Sequence, residues 1–319
     1  MSYQCAVIGD ISLDRFLLLP KLDIMPSNVN PGNFILNLEI GNKIPVSEIY
    51  EYIGGNAYNL TYGLSLLGVN TAIVSSIGKD DISNYILNSL SETNLNTEHI
   101  ASTEQSGINQ STILSMDGER VIFSHHKPKD YNSLNIPEAE WLYITSLSKG
   151  SENLLEQLLV NDIKHRIAFN PGSYLLKNNF NFIQQILPKT EIIFVNKEEA
   201  QNILNTSEEN ITNLTQGLHS MGVKIIGLTD GNNGAWVSDA NQVLHLPARP
   251  VEKKETTGAG DAFSAGFLAA FIQFNDLSQA LKWGIIQSSS VLREIGSVNG
   301  LSSLDEVLEI SQTLDPKPI

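Results

Sequence analysis

The sequence predicts an α/β chain: a mostly parallel β-sheet with helices on both faces, accompanied by a second, smaller β-sheet. Three observations carry this. Short, continuously apolar segments recur along the chain and alternate with helical patterns. Two regions break that rhythm and carry strand-like patterns instead. The length of 319 residues at 41% apolar content suffices to bury one large core.

The elements follow in order. Residues 6–10, Ala-Val-Ile-Gly-Asp, read as a buried strand ending in a polar loop. The same signature returns at residues 72–75, 141–144, 166–169, 192–195 and 224–229. Between these runs, apolar residues recur at helical spacing over 58–67, 82–90 and 154–159. Strands that are apolar throughout are covered on both faces, which is the habit of parallel sheets with crossover helices. Ligands of such folds sit beyond the carboxyl ends of the strands. Residues 15–53 hold the run 34–40 and no clear helix. Residues 108–125 alternate about Met116-Asp117-Gly118-Glu119, and an Asp-Gly pair between alternating runs is a hairpin signal. The two regions read together as a small separate sheet, a lid over a site, with extra edge strands of the main sheet as the alternative. The expected division is a body of residues 1–14, 54–107 and 126–319 and a lid of residues 15–53 and 108–125. Residues 315–319 read as a frayed tail.

Composition narrows the function. Acidic residues outnumber basic ones 35 to 20, for a formal charge of −15. That field disfavours nucleic acid, whose footprint needs clustered Lys and Arg, and anionic membrane surfaces. No apolar stretch approaches the roughly 18 residues of a membrane span. Residues 1–4 show no basic secretory leader, so a cytoplasmic protein is expected. The single cysteine, Cys5, lies in an apolar run and reads as a buried small hydrophobe. Residues 9–14 lack the glycine-rich loop of a dinucleotide site, and the chain has no Walker-type phosphate loop. The six histidines show no metalloprotease spacing.

The stretch that carries chemistry is Thr256-Thr257-Gly258-Ala259-Gly260-Asp261, opening into an apolar helical pattern. Glycines there let backbone N–H groups face an incoming group, and the helix start adds partial positive charge. Such a loop is an anion cradle. A carboxylate beside it is electrostatically wasteful unless it accepts a proton from an attacking hydroxyl; the alternative is a capping acid. A second glycine pair, Gly54-Gly55, opens another helical pattern with Asn59 one turn in, positioned for a ligand hydroxyl or as a helix cap.

These two glycine motifs, about 200 residues apart, resemble the paired signatures of the ribokinase family of PfkB-type carbohydrate kinases. Asp14 after the first strand, Asn196-Lys197-Glu198-Glu199 and residues 229–235 resemble further family motifs. The resemblance implies a three-layer α/β/α body with a β-sheet lid. It implies transfer of the γ-phosphoryl of ATP to a hydroxymethyl group, as a cytoplasmic enzyme. Asp261 would be the catalytic base, with Gly258, Ala259 and Gly260 forming the anion hole beside it. Asp14, Gly55 and Asn59 would hold substrate together with Asp261. Asn196, Thr229, Gly231, Gly234 and Gly260 would contact the nucleotide, and residues 283–300 would form part of the adenine pocket. Asn196 and Glu199 would organise Mg²⁺, although the same pair also fits a helix capping box.

One position departs from the family pattern: Glu255 stands where an Asp usually helps to hold an activating monovalent cation. The expectation is altered or absent potassium activation. The form of the first signature, Gly-Gly-Asn-Ala-Tyr-Asn, resembles fructokinases and 2-keto-3-deoxygluconate kinases more than ribokinases. A neutral monosaccharide is therefore the expected substrate, a nucleoside the alternative, and a non-catalytic sugar-binding protein the third reading. Arg120, Lys127 and Lys129 offer a clamp for a phosphosugar, against which they read as solvated lid charges. His125, His126 and residues 170–173 have no assigned role at this level. The lid is also a candidate for pairing with a second copy.

Overall fold

In the computed structural model, residues 2–20, 24–26, 34–116, 119–160 and 164–319 are described. The main sheet has ten strands. From one edge they run Lys317–Pro318, Val243–Leu246, Ala235–Ser238, Ile225–Thr229, Thr190–Asn196, Arg166–Phe169, Ala139–Ile144, Tyr3–Ile8, Thr71–Ile77 and Ile100–Ser102. From Ile225–Thr229 onward every pairing is parallel, and the three strands before it pair antiparallel.

Alternation along each strand feeds two cores. Cys5, Val7, Ile73, Trp141, Tyr143 and Phe194 pack with the helices Asn56–Leu66, Ala259–Phe274 and Leu277–Val291. Ala6, Ile8, Val74, Leu142, Ile144 and Phe169 pack with the helices on the other face, among them Glu152–Val160 and Ile211–Ser220. Burial pushes the Cys5 thiol far above its ordinary range, so it is no reactive thiol. No helix among the described residues is long and apolar enough to cross a membrane.

The second sheet has four strands, in the order Glu48–Gly54, Ser12–Leu18, Asn109–Met116 and Glu119–His125. Its last two strands pair antiparallel from Gln110 opposite His125 to Met116 opposite Glu119. The Asp117-Gly118 turn expected between them lies outside the described residues. Asp14 falls within the strand Ser12–Leu18 and so rides on this sheet. The run 34–40 does not join it. Phe34–Leu36 pairs with Ile24–Pro26 as a separate two-stranded piece, and Ile40 is fully exposed, with no face to pack on.

The C-terminus also departs from expectation. Lys317 and Pro318 pair with His245 and Leu244, and the Ile319 N–H donates to the Val243 carbonyl at 3.0 Å. An open sheet edge offers backbone partners to any adjacent extended chain, whatever its composition.

Candidate functional site

The helix Ala259–Phe274 begins at the carboxyl ends of the parallel strands. Its cap is Gly258, at φ +83°. A Cβ there would lie 2.7 Å from the Ser297 carbonyl oxygen, so both conformation and space require glycine. A Cβ on Gly260 would meet nothing within 4 Å, because that side of the turn faces open cavity. Three cavities meet around this turn.

The first, of about 610 Å³, lies under the four-stranded sheet. Asp10, Asp14, Asn59, Asn109, Tyr174 and Asp261 are among its lining residues, with Gly55, Thr257 and Gly258 at its rim. Gly55 has φ +91°, and a Cβ on it would sit 2.5 Å from the Asp10 carbonyl oxygen; this close approach brings the Asn56–Leu66 helix onto the loop after the first strand. Burial raises the Asp14 carboxyl, opposed by hydrogen bonds from Ser12 (2.9 Å) and Ser111. The second cavity, about 210 Å³, is lined by Asn170, Asn196, Glu199, Thr229, Gly260 and Asp261, among others. The third, about 220 Å³, takes in Thr229, Gly231, Gly234, Arg249, Lys253 and Gly260. Asp261 is common to the first two, and Gly260 and Thr229 to the last two.

Asp261 is therefore the junction. Its carboxylate oxygens accept from Asn56 Nδ2 at 2.9 Å and Asn59 Nδ2 at 2.8 Å. Its pKa is raised to about 6, chiefly by burial, while the amides of Asn59 and Asn56 favour the ionised form and the charges of Asp14 and Glu199 oppose it. A carboxylate that titrates near neutrality, on a helix N-terminus and between two cavities, has the properties of a general base.

The residues singled out from the sequence are placed as follows. Asp14, Gly55, Asn59 and Asp261 meet at the first cavity, and Asn196, Glu199, Thr229, Gly231, Gly234 and Gly260 meet along the second and third. Within 283–300, Ile285, Ser288, Ser289 and Leu292 line the third cavity, whereas Trp283 is core. Asn170 lines the second cavity, Ser173 the first, and His126 reaches the first while His125 does not. The clamp of Arg120, Lys127 and Lys129 does not form, and none of the three lines the first cavity. Nor is Lys129 solvated: it is buried, donating to the Ser76 carbonyl at 3.0 Å.

Asn196 and Glu199 do form a capping box. Asn196 Oδ1 accepts from the Glu199 N–H at 2.8 Å, and Glu199 Oε2 from the Asn196 N–H at 2.9 Å. The cavity they border carries two carboxylates, Glu199 and Asp261, and no Lys or Arg among its lining residues. Such a donor set fits a hard divalent cation that keeps most of its waters.

Sequence reasoning missed two residues of the site and the surroundings of a third, Glu255. Asn56 shares Asp261 with Asn59. Asp10 anchors the floor of the first cavity, accepting from Tyr131 at 2.6 Å, Asn109 at 3.0 Å and Ser148. Glu255 is fully buried, accepting from the Thr257 N–H at 2.7 Å and hydroxyl at 2.9 Å, with Arg120 at 3.7 Å. An acid or amide beside each glycine motif was the only available signal.

Comparison with known proteins gives the family and the fold. The family model described as pfkB family carbohydrate kinase matches residues 28–304. An ATP-dependent 6-phosphofructokinase of Thermoanaerobacterium thermosaccharolyticum is 23% identical over 290 residues, 86% of this chain and 89% of that protein. The crystal structure of the Methanocaldococcus jannaschii nucleoside kinase superposes with a TM-score of 0.79 at 23% identity, covering 98% of this chain and 99% of that one. Arabidopsis thaliana ribokinase, complexed with ribose and ATP, superposes at 0.77 and 15% identity, over 98% and 99% of the two chains.

Proposed function

This chain belongs to the pfkB family of carbohydrate kinases, phosphotransferases acting on sugar or nucleoside hydroxyls, and we propose that it phosphorylates a hydroxymethyl group of a neutral monosaccharide with ATP. The observation that carries this reading is Asp261, shared by two cavities and held by Asn56 and Asn59 at a helix N-terminus.

The sugar occupies the cavity of about 610 Å³, its hydroxyls bonded to Asp14 and Asn59, with Gly55 letting the backbone close in. The reacting hydroxyl gives its proton to an Asp261 oxygen as its own oxygen bonds to the γ-phosphorus. The bond from that phosphorus to the β-phosphate oxygen breaks, and ADP leaves. Backbone N–H groups of Ala259, Gly260 and Asp261, shaped by Gly258, bind the transferred group; they need no reorganisation as charge spreads over its oxygens. Thr229, Gly231 and Gly234 border the cavity assigned to the nucleotide, and Arg249 and Lys253 supply positive charge there. Glu199 and Asn196 would hold Mg²⁺ through water, which when bound neutralises phosphate charge.

Carboxylates favour a neutral substrate over a phosphosugar, since Asp10, Asp14 and Asp261 face the cavity against Lys149 as its one Lys or Arg among the described lining residues. One observation favours a nucleoside: Tyr174 and Ile122 give the same cavity an aromatic and apolar wall on which a base can stack. The intact anion loop with its acid speaks against a non-catalytic binding protein.

A screen of ADP release across neutral sugars, phosphosugars and nucleosides tests the reading. Turnover is expected on a neutral sugar, and Asp261→Asn should lose it by at least about a hundredfold while retaining ATP binding. Turnover confined to nucleosides or phosphosugars would replace the substrate class. Near-normal turnover by Asp261→Asn would remove Asp261 from its role.

A further inference from the structure

We propose that Arg120 is a positioning residue, which through its ion pair with Glu255 fixes the anion-binding turn and couples it to the four-stranded sheet. The inference rests on the kinase reading for its catalytic consequence, and on geometry for the link itself.

Three observations carry it. Side chains alternate along the strand Glu119–His125, and Ile122 and Ser124 face the substrate cavity. Arg120 belongs to that same inward row, beyond the cavity's edge. There its Nε lies 3.7 Å from Glu255 Oε1, the one ion pair of Glu255 among the described residues. Glu255 is 1% exposed, and a carboxylate so enclosed is costly without a counter-charge. The nearby charge of Asp14 adds repulsion that a cation relieves.

The link continues into the turn. Among the described residues both hydrogen bonds of the Glu255 carboxylate come from Thr257, one from its N–H at 2.7 Å and one from its hydroxyl at 2.9 Å. Thr257 precedes Gly258, the left-handed cap of the Asp261 helix. Arg120 thus sets where Glu255 sits, Glu255 sets Thr257, and Thr257 sets the entry of the donor turn. The cation is carried by the chain itself, so Glu255 needs no ion from solution.

Arg120→Ala, Arg120→Lys and wild type separate the possibilities. In Arg120→Ala, kcat should fall about tenfold to a hundredfold, the scale of a small misplacement of reacting groups, with the sugar KM within about twofold. Arg120→Lys should recover most of the loss. Guanidinium or potassium ions at millimolar concentration should partly restore Arg120→Ala and leave wild type unchanged. Independently of turnover, amide hydrogen exchange at Thr257 and residues 258–261 should quicken in Arg120→Ala at unchanged melting temperature. Unchanged exchange there overturns the link, whether or not the chain is a kinase. Quickened exchange with wild-type kcat overturns the positioning role, as does a loss that neither lysine nor added cation repairs. A wild type that phosphorylates nothing overturns the kinase reading, and the exchange measurement then decides the link alone.

Discussion

Asn56→Ala should move the acid limb of the pH–rate profile toward neutrality. Asp261 titrates at about 6, held down by two amide donors against the upward push of burial. Asn56 supplies one of them, at 2.9 Å from Oδ1. A hydrogen bond to a charged group contributes about 1.5–3 kcal/mol, and the lower end suits a carboxylate that opens onto a cavity. At about 1.4 kcal/mol per pH unit, its removal raises the pKa by about one unit, to about 7. The base works ionised, so activity is lost as pH falls through this value. At pH 6 about half of the wild-type carboxylates are ionised against about a tenth in the variant, a roughly fivefold deficit; at pH 8 the two differ by only about a tenth. Profiles of kcat/KM between pH 5 and 9 read this directly, because they report the free enzyme. An acid limb that stays in place in a folded variant, or moves downward, refutes both the assignment of Asp261 as base and the role of Asn56 in tuning it.

Two further predictions concern stability and assembly. Because the pKa of Asp261 rises from 3.8 to about 6 on folding, the stability it contributes is present below pH 3.8 and lost as pH rises through 6. Asp261→Asn, neutral throughout, should therefore be more stable than wild type at pH 8, by at most about 3 kcal/mol, with the gap closing toward pH 4; thermal unfolding at both pH values checks it, and an equal or lower melting point at pH 8 counts against it. Ile49, Leu17, Leu114 and Val121 form one row across the outer face of the four-stranded sheet, with Ile49 58% and Val121 43% exposed, and the outer edges of its two end strands have no partner strand among the described residues. A second copy should cover this face; sedimentation should show a dimer that Val121→Lys dissociates, and a monomeric wild type would end the proposal.

What was legible in the sequence was local. The apolar runs at residues 6–10, 72–75 and 141–144 announce parallel strands because each is buried on both faces within its own few residues. The turn before Asp261 is likewise complete in six residues. Asn56 was not legible as a ligand of Asp261, because a contact across 205 residues exists only once two helices start side by side. The Asp10 hub is hidden for the same reason, drawing partners from Asn109, Tyr131 and Ser148. Arg120 looked like a solvated charge because nothing near it in the chain is acidic and buried; its partner lies 135 residues away by number, in the loop before the Gly258 turn.

Asn196 and Glu199 show why a local motif can be read two ways and still be one thing. As a capping box they satisfy two backbone N–H groups at the start of the helix Lys197–Leu204, which would otherwise lie unpaired at the carboxyl edge of the sheet. That bonding consumes Oε2 of Glu199 and leaves Oε1 without a hydrogen bond among the described residues. Burial raises the Glu199 carboxyl, and the cavity it borders holds a second acid, Asp261. Two carboxylates sharing an enclosed space repel, and a divalent cation relieves that repulsion when the nucleotide brings it. On the proposed reading the cap supplies rigidity and the free oxygen would supply Mg²⁺ affinity, so Glu199→Gln should keep the helix start and raise the Mg²⁺ concentration needed for half-maximal turnover, whereas a residue unable to cap would lose both.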